Sequence, residues 1–276
     1  MSPSAEPSAA VAGFPAELNG RPATAAELAV LATVNYGHFT AMQVRGERVR
    51  GLEAHLRRLA AATRTLFGHA LDTGRVRDHL RHAVAGAGDV SARVHVFSLE
   101  LPRTGLTAPL APDVLVTLRP PSEPATTPVR LRSVRYAREL PEVKHVGTFG
   151  LFHHARAARL AGFDDALFVT ADGHVAEASI SNVVLVDGGT VVFPDAPMLD
   201  GITQRLLRRG LARVGVPTVT RPVPLAEARV PRAAFLCNSA SPAVPVAAID
   251  GAELTLDPAL TTLLTEAYDT TPWDEI

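Results

Sequence analysis

The spacing of apolar and polar positions gives the first outline of the fold. Residues 33–44, TVNYGHFTAMQV, read as a strand followed by a turn at Gly46. In the next segment, GLEAHLRRLAAATRTLFG, Leu52, Leu56, Leu59 and Leu66 fall on one face of a helix. Val76, Leu80 and Val84, spaced by four behind a cap at Asp72 or Thr73, predict a second amphipathic helix. ARVHVFSLE and DVLVTLRP then read as strands, the Pro-rich PPSEPATTP breaks the pattern, and VRLRSVRY alternates again.

Past a hinge expected near Ala137 to Pro141, the pattern changes. Residues 150–161 predict a short helix. ALFVT, HVAEASISNVVLV and TVVFP predict hairpin-connected strands separated by the turns ADG and DGG. GITQRLLRRGLARVG reads as a helix stopped by Gly215, followed by strand PTVTRPV, a short helix at LAEARV, strand AFLCN and a helix over DPALTTLLTEAY. Strands and helices come in runs rather than in strict alternation, which predicts an α+β chain of two lobes. The expected division is a disordered tail over 1–15, a smaller lobe over 16–137 and a larger one over 138–276.

Composition narrows the function classes. The chain has 276 residues, of which 47% are hydrophobic, enough to give each lobe its own core. A net charge of -1 provides no overall basic field for nucleic acid or an anionic membrane. No apolar run has the length of a membrane span, and the amino terminus lacks a basic segment followed by an apolar core, so a cytoplasmic protein is expected. Cys237 is the single cysteine and excludes an internal disulfide.

One residue stands out chemically. Of the 27 basic residues only Lys144, in ARELPEVKHVGTFGLF, is a lysine. A desolvated lysine amine can lose its proton and attack a carbonyl to form an imine, which a guanidinium cannot do. A surface lysine left over in an arginine-rich composition satisfies the same observation. An imine site for pyridoxal phosphate needs three further things: an anion cradle, an acid for the pyridine nitrogen, and groups that orient the ring. The helix start at Ile202 and Thr203 offers backbone N–H groups for an anion, although Asp200-Gly201 also reads as an ordinary cap and turn. Glu177 stands among small residues in a strand, where it either points to water or is buried as that acid. Arg58 is a phosphate contact or part of a solvated helix face. Ser239 and Ser241 are donors or shape a turn.

Taken in order, YGHFTAMQV, HLRRL, VKH, ALFVTADGHVAEASISN, LDGITQRLL and FLCNSASPAVPVAAIDG resemble the class IV aminotransferases, the fold-type IV pyridoxal phosphate enzymes. That group includes branched-chain and D-amino acid aminotransferases and aminodeoxychorismate lyase. The resemblance runs from about Leu18 to Gly251. It implies a two-domain α+β fold of the D-amino acid aminotransferase type, pyridoxal 5'-phosphate between the domains, and a homodimer. Lys144 is then the aldimine lysine and proton shuttle, and Glu177 the partner of the ring nitrogen. Arg58, Ile202, Thr203 and Ser239 become phosphate contacts, and Ala240 and Ser241 lie beside the substrate.

The chain also departs from the family pattern. Gly147, Thr148 and Phe149 stand where members commonly carry an Asn or Tyr that helps to hold the ring, which leaves Tyr36 as the candidate for that contact or as a plain core residue. Thr40, where the aminotransferases often have Glu, is a candidate on the substrate side. Phe39-Thr40, Lys144-His145 and Cys237-Asn238 look more like aminodeoxychorismate lyase. The leading expectation is transamination between a small amino acid and a 2-oxo acid. The alternatives are a pyruvate-releasing lyase and a cofactor-less binding protein. Asp78, His79 and His82 make a poor zinc signature, and no metal is expected.

Overall fold

The computed structural model describes residues 15–276 except 105, 108, 109 and 231; the expected tail over 1–15 lies, but for Pro15, outside them. A seven-stranded antiparallel sheet forms the first lobe, in the order Trp273–Glu275, Arg48–Arg50, His38–Arg45, Val90–Phe97, Asp113–Arg119, Ala16–Leu18 and Arg21–Pro22. One face carries Met42, Val44, Ala92, Val94, Val96, Val114 and Val116, and it is sealed by helices Leu52–Phe67 and Thr73–Val84. The period of two in the strands and the spacing of Leu52, Leu56 and Leu59 meet in that core. Asp72 caps the second of these helices by accepting from the Arg75 N–H at 3.0 Å.

The opposite face of the same strands presents Phe39, Gln43, Ser91, Arg93 and His95, with Phe39 paired to His95. It receives the segment that bears the lysine. The Phe39 N–H donates to the Lys144 carbonyl at 2.9 Å, the Val146 N–H donates to the Gly37 carbonyl at 2.9 Å, and His38 and His145 form an antiparallel bridge.

The second lobe is a mixed nine-stranded sheet. Strands Asn182–Asp187, Ala233–Cys237, Val244–Ile249, Val129–Arg135, Asp165–Val169 and Val175–Ala178 pair in that order, and pairing of Asn182 with Glu177 closes the six into a ring. Outside the ring, Thr190–Pro194 and Thr218–Arg221 extend the sheet and Ala252–Glu253 pairs with Val244–Ile249. Helix Phe149–Leu160 packs on Ala166 and Phe168, and helices Ile202–Arg213 and Pro258–Asp269 pack together over the other part. These two approach so closely that a Cβ on Gly210 would lie 1.8 Å from the Ala267 carbonyl oxygen.

Several expectations need correction. Residues 33 and 34 end a helix, Ala25–Val34, capped by a Thr24–Glu27 box and stopped by Asn35 in the left-handed region (φ 53°); the strand begins only at His38. AAELAVLATV is apolar on all sides, so it shows no amphipathic period. HVAEASISNVVLV is two strands, not one, broken at residues 179–181. Strand Val129–Arg135 falls before the expected division but pairs within the second sheet, and Trp273–Glu275 falls after it but pairs within the first. Sheet membership therefore changes in the Pro-rich stretch 120–128, and the carboxy terminus crosses back.

Candidate active site

Where the two lobes meet, Lys144, Glu177 and Arg138 come together. Glu177 is 5% exposed and Arg138 6%. The guanidinium of Arg138 stands 3.8 Å from the Glu177 carboxylate and donates to the Val143 carbonyl at 2.9 Å, and its Nε is buried without a partner. Glu177 Oε2 also accepts from the Leu199 N–H at 3.4 Å, a long bond. Burial pushes the Glu177 carboxyl up to about 7, although Arg138, the Leu199 amide and Lys144 all pull it down.

The Lys144 amine lies 4.9 Å from the centroid of the Phe39 ring, and no hydrogen bond or ion pair with a described residue holds it. By area the residue is only half-buried. Burial of the amine, reinforced by Arg58 and Arg138 and partly offset by Glu177, brings it down to about 7. Burial thereby favours the neutral, nucleophilic form of this amine. Phe39 has two further neighbours: His95, kept neutral by burial and by the Arg93 charge, stacks on the ring at 5.3 Å, and the Arg93 guanidinium lies 5.9 Å from the ring centroid. Arg93 pairs with no carboxylate among the described residues.

The second half of the site joins helix Leu52–Phe67 to helix Ile202–Arg213 through Ala54, Ile202 and Leu206. Arg58 donates to the Thr40 hydroxyl at 2.5 Å, and that hydroxyl meets His55 Nδ1 at 2.6 Å. Burial and then the Arg58 charge hold the His55 imidazole neutral, well below its usual range. Burial and Arg205 bring Arg58 down to about 10, which leaves it a cation. Arg58 also lines a cleft of about 570 Å³ with Arg57, Arg205 and Arg209, whose carboxylates are Glu142 and the Arg205-paired Asp200.

Helix Ile202–Arg213 starts at Gly201 with no side-chain cap. A Cβ there would lie 2.0 Å from the Asn182 amide oxygen, so glycine is required and the first-turn N–H groups are left open. Thr203 spends its hydroxyl on the Asn238 carbonyl at 2.9 Å, which ties the helix start to the loop that carries Ser239. Ser239 lines a small, partly open space of about 20 Å³ with His55, Ile202 and Thr203.

Other expected residues stand differently. Tyr36 gives its hydroxyl to the Leu66 carbonyl at 2.9 Å and packs edge-on against Phe67, so its phenol is engaged at the end of a helix. Thr40 is fully buried and braces Arg58 rather than facing an open cleft. Asn238 organises the serine loop, because its side-chain oxygen accepts from the N–H groups of both Ala240 and Ser241 and its amide donates to Ser181. Those two amides are thereby used within the loop, and the Ser241 hydroxyl accepts from the Ala125 N–H at 2.9 Å. Arg138, His55 and Asn238 were missed.

The chain matches the amino-transferase class IV family over residues 37–249. A probable branched-chain-amino-acid aminotransferase of Synechocystis is 33% identical over 103 residues, 37% of this chain and 34% of that protein, and one of Aquifex aeolicus is 29% identical over 35% and 32%. The matched stretch spans about a third of each of those curated relatives. Among solved structures, a branched-chain aminotransferase of Thermoproteus uzoniensis superposes with a TM-score of 0.82 at 23% identity, covering 93% of this chain and 94% of that one. A structure named as a putative 4-amino-4-deoxychorismate lyase of Legionella pneumophila gives 0.75 at 20% identity, over 85% and 91%. Agreement in fold over nearly the whole chain, with a family match across both lobes, makes this protein a member of the amino-transferase class IV family.

Proposed function

We propose that the chain is a pyridoxal 5'-phosphate-dependent aminotransferase acting on a small amino acid and a 2-oxo acid. The observation that carries this reading is Lys144, the chain's sole lysine, whose amine is brought to about 7 between Phe39, Arg58, Arg138 and Glu177. The surroundings fit the cofactor. The uncapped start of helix Ile202–Arg213 offers N–H donors, Arg58 has a buried Nε without a partner, and Glu177 is a buried acid within the same group.

In this reading Ile202, Thr203, Arg58 and Ser239 hold the phosphate, and Glu177 holds a proton shared with the pyridine nitrogen. Arg138 takes over the orienting role expected of Tyr36, whose hydroxyl is committed to Leu66. When bound, pyridoxal phosphate supplies an aldehyde for imine formation and a ring that accepts the electron pair left by a departing α-proton. The neutral Lys144 amine would be the group that bonds to that aldehyde, and as a free amine it would hold and move the proton at the substrate α-carbon. Glu177 keeps the proton at the nitrogen. Phe39 excludes water from one side of the lysine, and the Arg93 guanidinium, which meets no carboxylate among the described residues, is suited to a substrate carboxylate.

The lyase reading rests on Phe39-Thr40, Lys144-His145 and Cys237-Asn238. The working unit in either reading is a cytoplasmic homodimer, supported by the exposed Phe149, Phe152 and Leu160 on one helix. No described helix is long and apolar enough to cross a membrane. The test is borohydride reduction of the protein with added pyridoxal phosphate, followed by peptide mapping and a panel of amino acids with 2-oxoglutarate. Label on Lys144 and amino-acid-dependent turnover are expected. Protein that takes up no cofactor contradicts the proposal, and pyruvate release from aminodeoxychorismate without an acceptor replaces transamination with the lyase.

A further inference from the structure

The last residues of the chain do something the catalytic reading leaves unexplained. After helix Pro258–Asp269 of the second lobe, the backbone crosses to the first, where Trp273–Glu275 pairs antiparallel with Arg48–Arg50 at the sheet edge. The Arg50 guanidinium lies 5.1 Å from the Tyr268 ring centroid and 4.7 Å from that of Trp273, and it ion-pairs with Asp269. Ile276 inserts into the first core, its carbonyl accepting from Arg81 Nε at 2.8 Å.

Within this crossing, the Asp274 carboxylate accepts from the Leu52 N–H at 2.9 Å. Leu52 opens the helix that carries His55 and Arg58, and the helix's own N-cap, Gly51 (φ 72°), has no side chain to cap it. A residue more than two hundred positions away therefore supplies the missing cap and places a negative charge at the positive end of the helix. The same helix turn abuts the phosphate side: Ala54 packs on Ile202 and Leu206, and a Cβ on Gly51 would sit 3.0 Å from the Leu206 methyl groups. Tyr268 and Trp273 line the small, partly open space of about 20 Å³ that Thr203 and Ser239 also line.

We propose that Asp274 is a positioning residue for the phosphate cradle: by capping helix Leu52–Phe67 from the carboxy terminus, it fixes Arg58 against the open start of helix Ile202–Arg213. The inference rests on the assignment of Arg58, Ile202, Thr203 and Ser239 to the phosphate. It adds that the two halves of the cradle are set at their spacing by a clasp made of the chain's last residues.

The test compares dissociation constants of pyridoxal phosphate and of pyridoxal, which lacks the phosphate, by equilibrium dialysis with the wild-type chain, D274A and D274N. The wild type should prefer the phosphorylated form. D274A should reduce that preference by about fivefold, the loss expected of a single cap, with pyridoxal binding unchanged. Asparagine caps as well as aspartate, so D274N should stay within about twofold of the wild type. In an R58A background, D274A should have no further effect on the preference. Should D274A not fold, D274S carries the same comparison, because its shorter side chain drops the hydrogen bond. An unchanged preference in D274A, an equal weakening of both ligands, or a D274N as weak as D274A overturns the positioning role. A wild type that binds both ligands alike instead overturns the phosphate assignment, and this proposal with it.

Discussion

The two ends of the candidate site are buried to a similar degree and differ in what burial does to them. At the lysine end, Lys144 falls from 10.5 to about 7 and Glu177 rises from 4.5 to about 7. At the arginine end, Arg58 falls to about 10 and stays charged, and His55 is driven below its usual range and stays neutral. Desolvation disfavours the charged form in all four, so the outcome depends on where each group starts. Amine and carboxyl converge from opposite sides on neutrality, which fits the proton-carrying roles proposed for them. Guanidinium and imidazole are held in one state, which suits a fixed anion cradle. In the proposed function one end moves a proton and the other holds a charge.

That division is broken most completely at the lysine. K144A should abolish cofactor trapping by borohydride, since no other lysine exists to replace it. E177Q should bind the cofactor yet turn over roughly a hundredfold more slowly, the usual contribution of a positioned proton-holding group; rapid-reaction kinetics with the wild type as reference checks this.

E177Q also tests the buried carboxyl through stability. The folded state raises the Glu177 pKa, so it binds a proton more readily than the unfolded chain. The associated stability is fully present below about 4.5 and is lost as pH rises through about 7. Denaturation of the cofactor-free protein should therefore show the wild type losing roughly 3 kcal/mol across that window relative to E177Q. A parallel pH profile for the two proteins places the carboxyl in water.

At the holding end the effects should be smaller and should fall on affinity. R58A should weaken pyridoxal phosphate about ten- to a hundredfold, the worth of a charge-assisted hydrogen bond, and should move the Lys144 midpoint upward, because the Arg58 charge is one of the groups that hold it down. T40V removes the hydroxyl that braces Arg58 and His55 and should cost several-fold less than R58A by the same dialysis measurement. Equal losses of turnover and of affinity at both ends would dissolve the distinction.

Much of this arrangement was legible in the sequence wherever local pattern and local chemistry coincide. The helix bearing Arg58 shows its buried face in Leu52, Leu56 and Leu59, and Gly201 marks a helix start whose amides stay open. Lys144 is visible by its isolation and Glu177 by the small residues around it. What escaped depends on contacts distant in sequence. Arg138 has meaning only once it is buried beside Glu177, and Thr40 becomes a brace only because its strand faces helix Leu52–Phe67. Tyr36 is drawn to the end of that helix by the Leu66 carbonyl, which no spacing announces. WDE at the carboxy terminus has neither period nor apolar bias, so its place at the edge of the first sheet is invisible until Arg48–Arg50 is there to pair with it. Val129–Arg135 alternates as clearly as any strand, but alternation does not say which sheet a strand joins.

The most direct test uses the fact that the chain has one lysine. Carbon-labelled lysine yields a single side-chain resonance in the cofactor-free protein, and its pH titration reports the Lys144 amine without assignment. A midpoint at about 7 is expected, moved lower in E177Q because Glu177 is the group that favours the charged amine. A midpoint near the ordinary 10.5, unmoved by E177Q, would mean that the amine lies in water and that the site is not the one described.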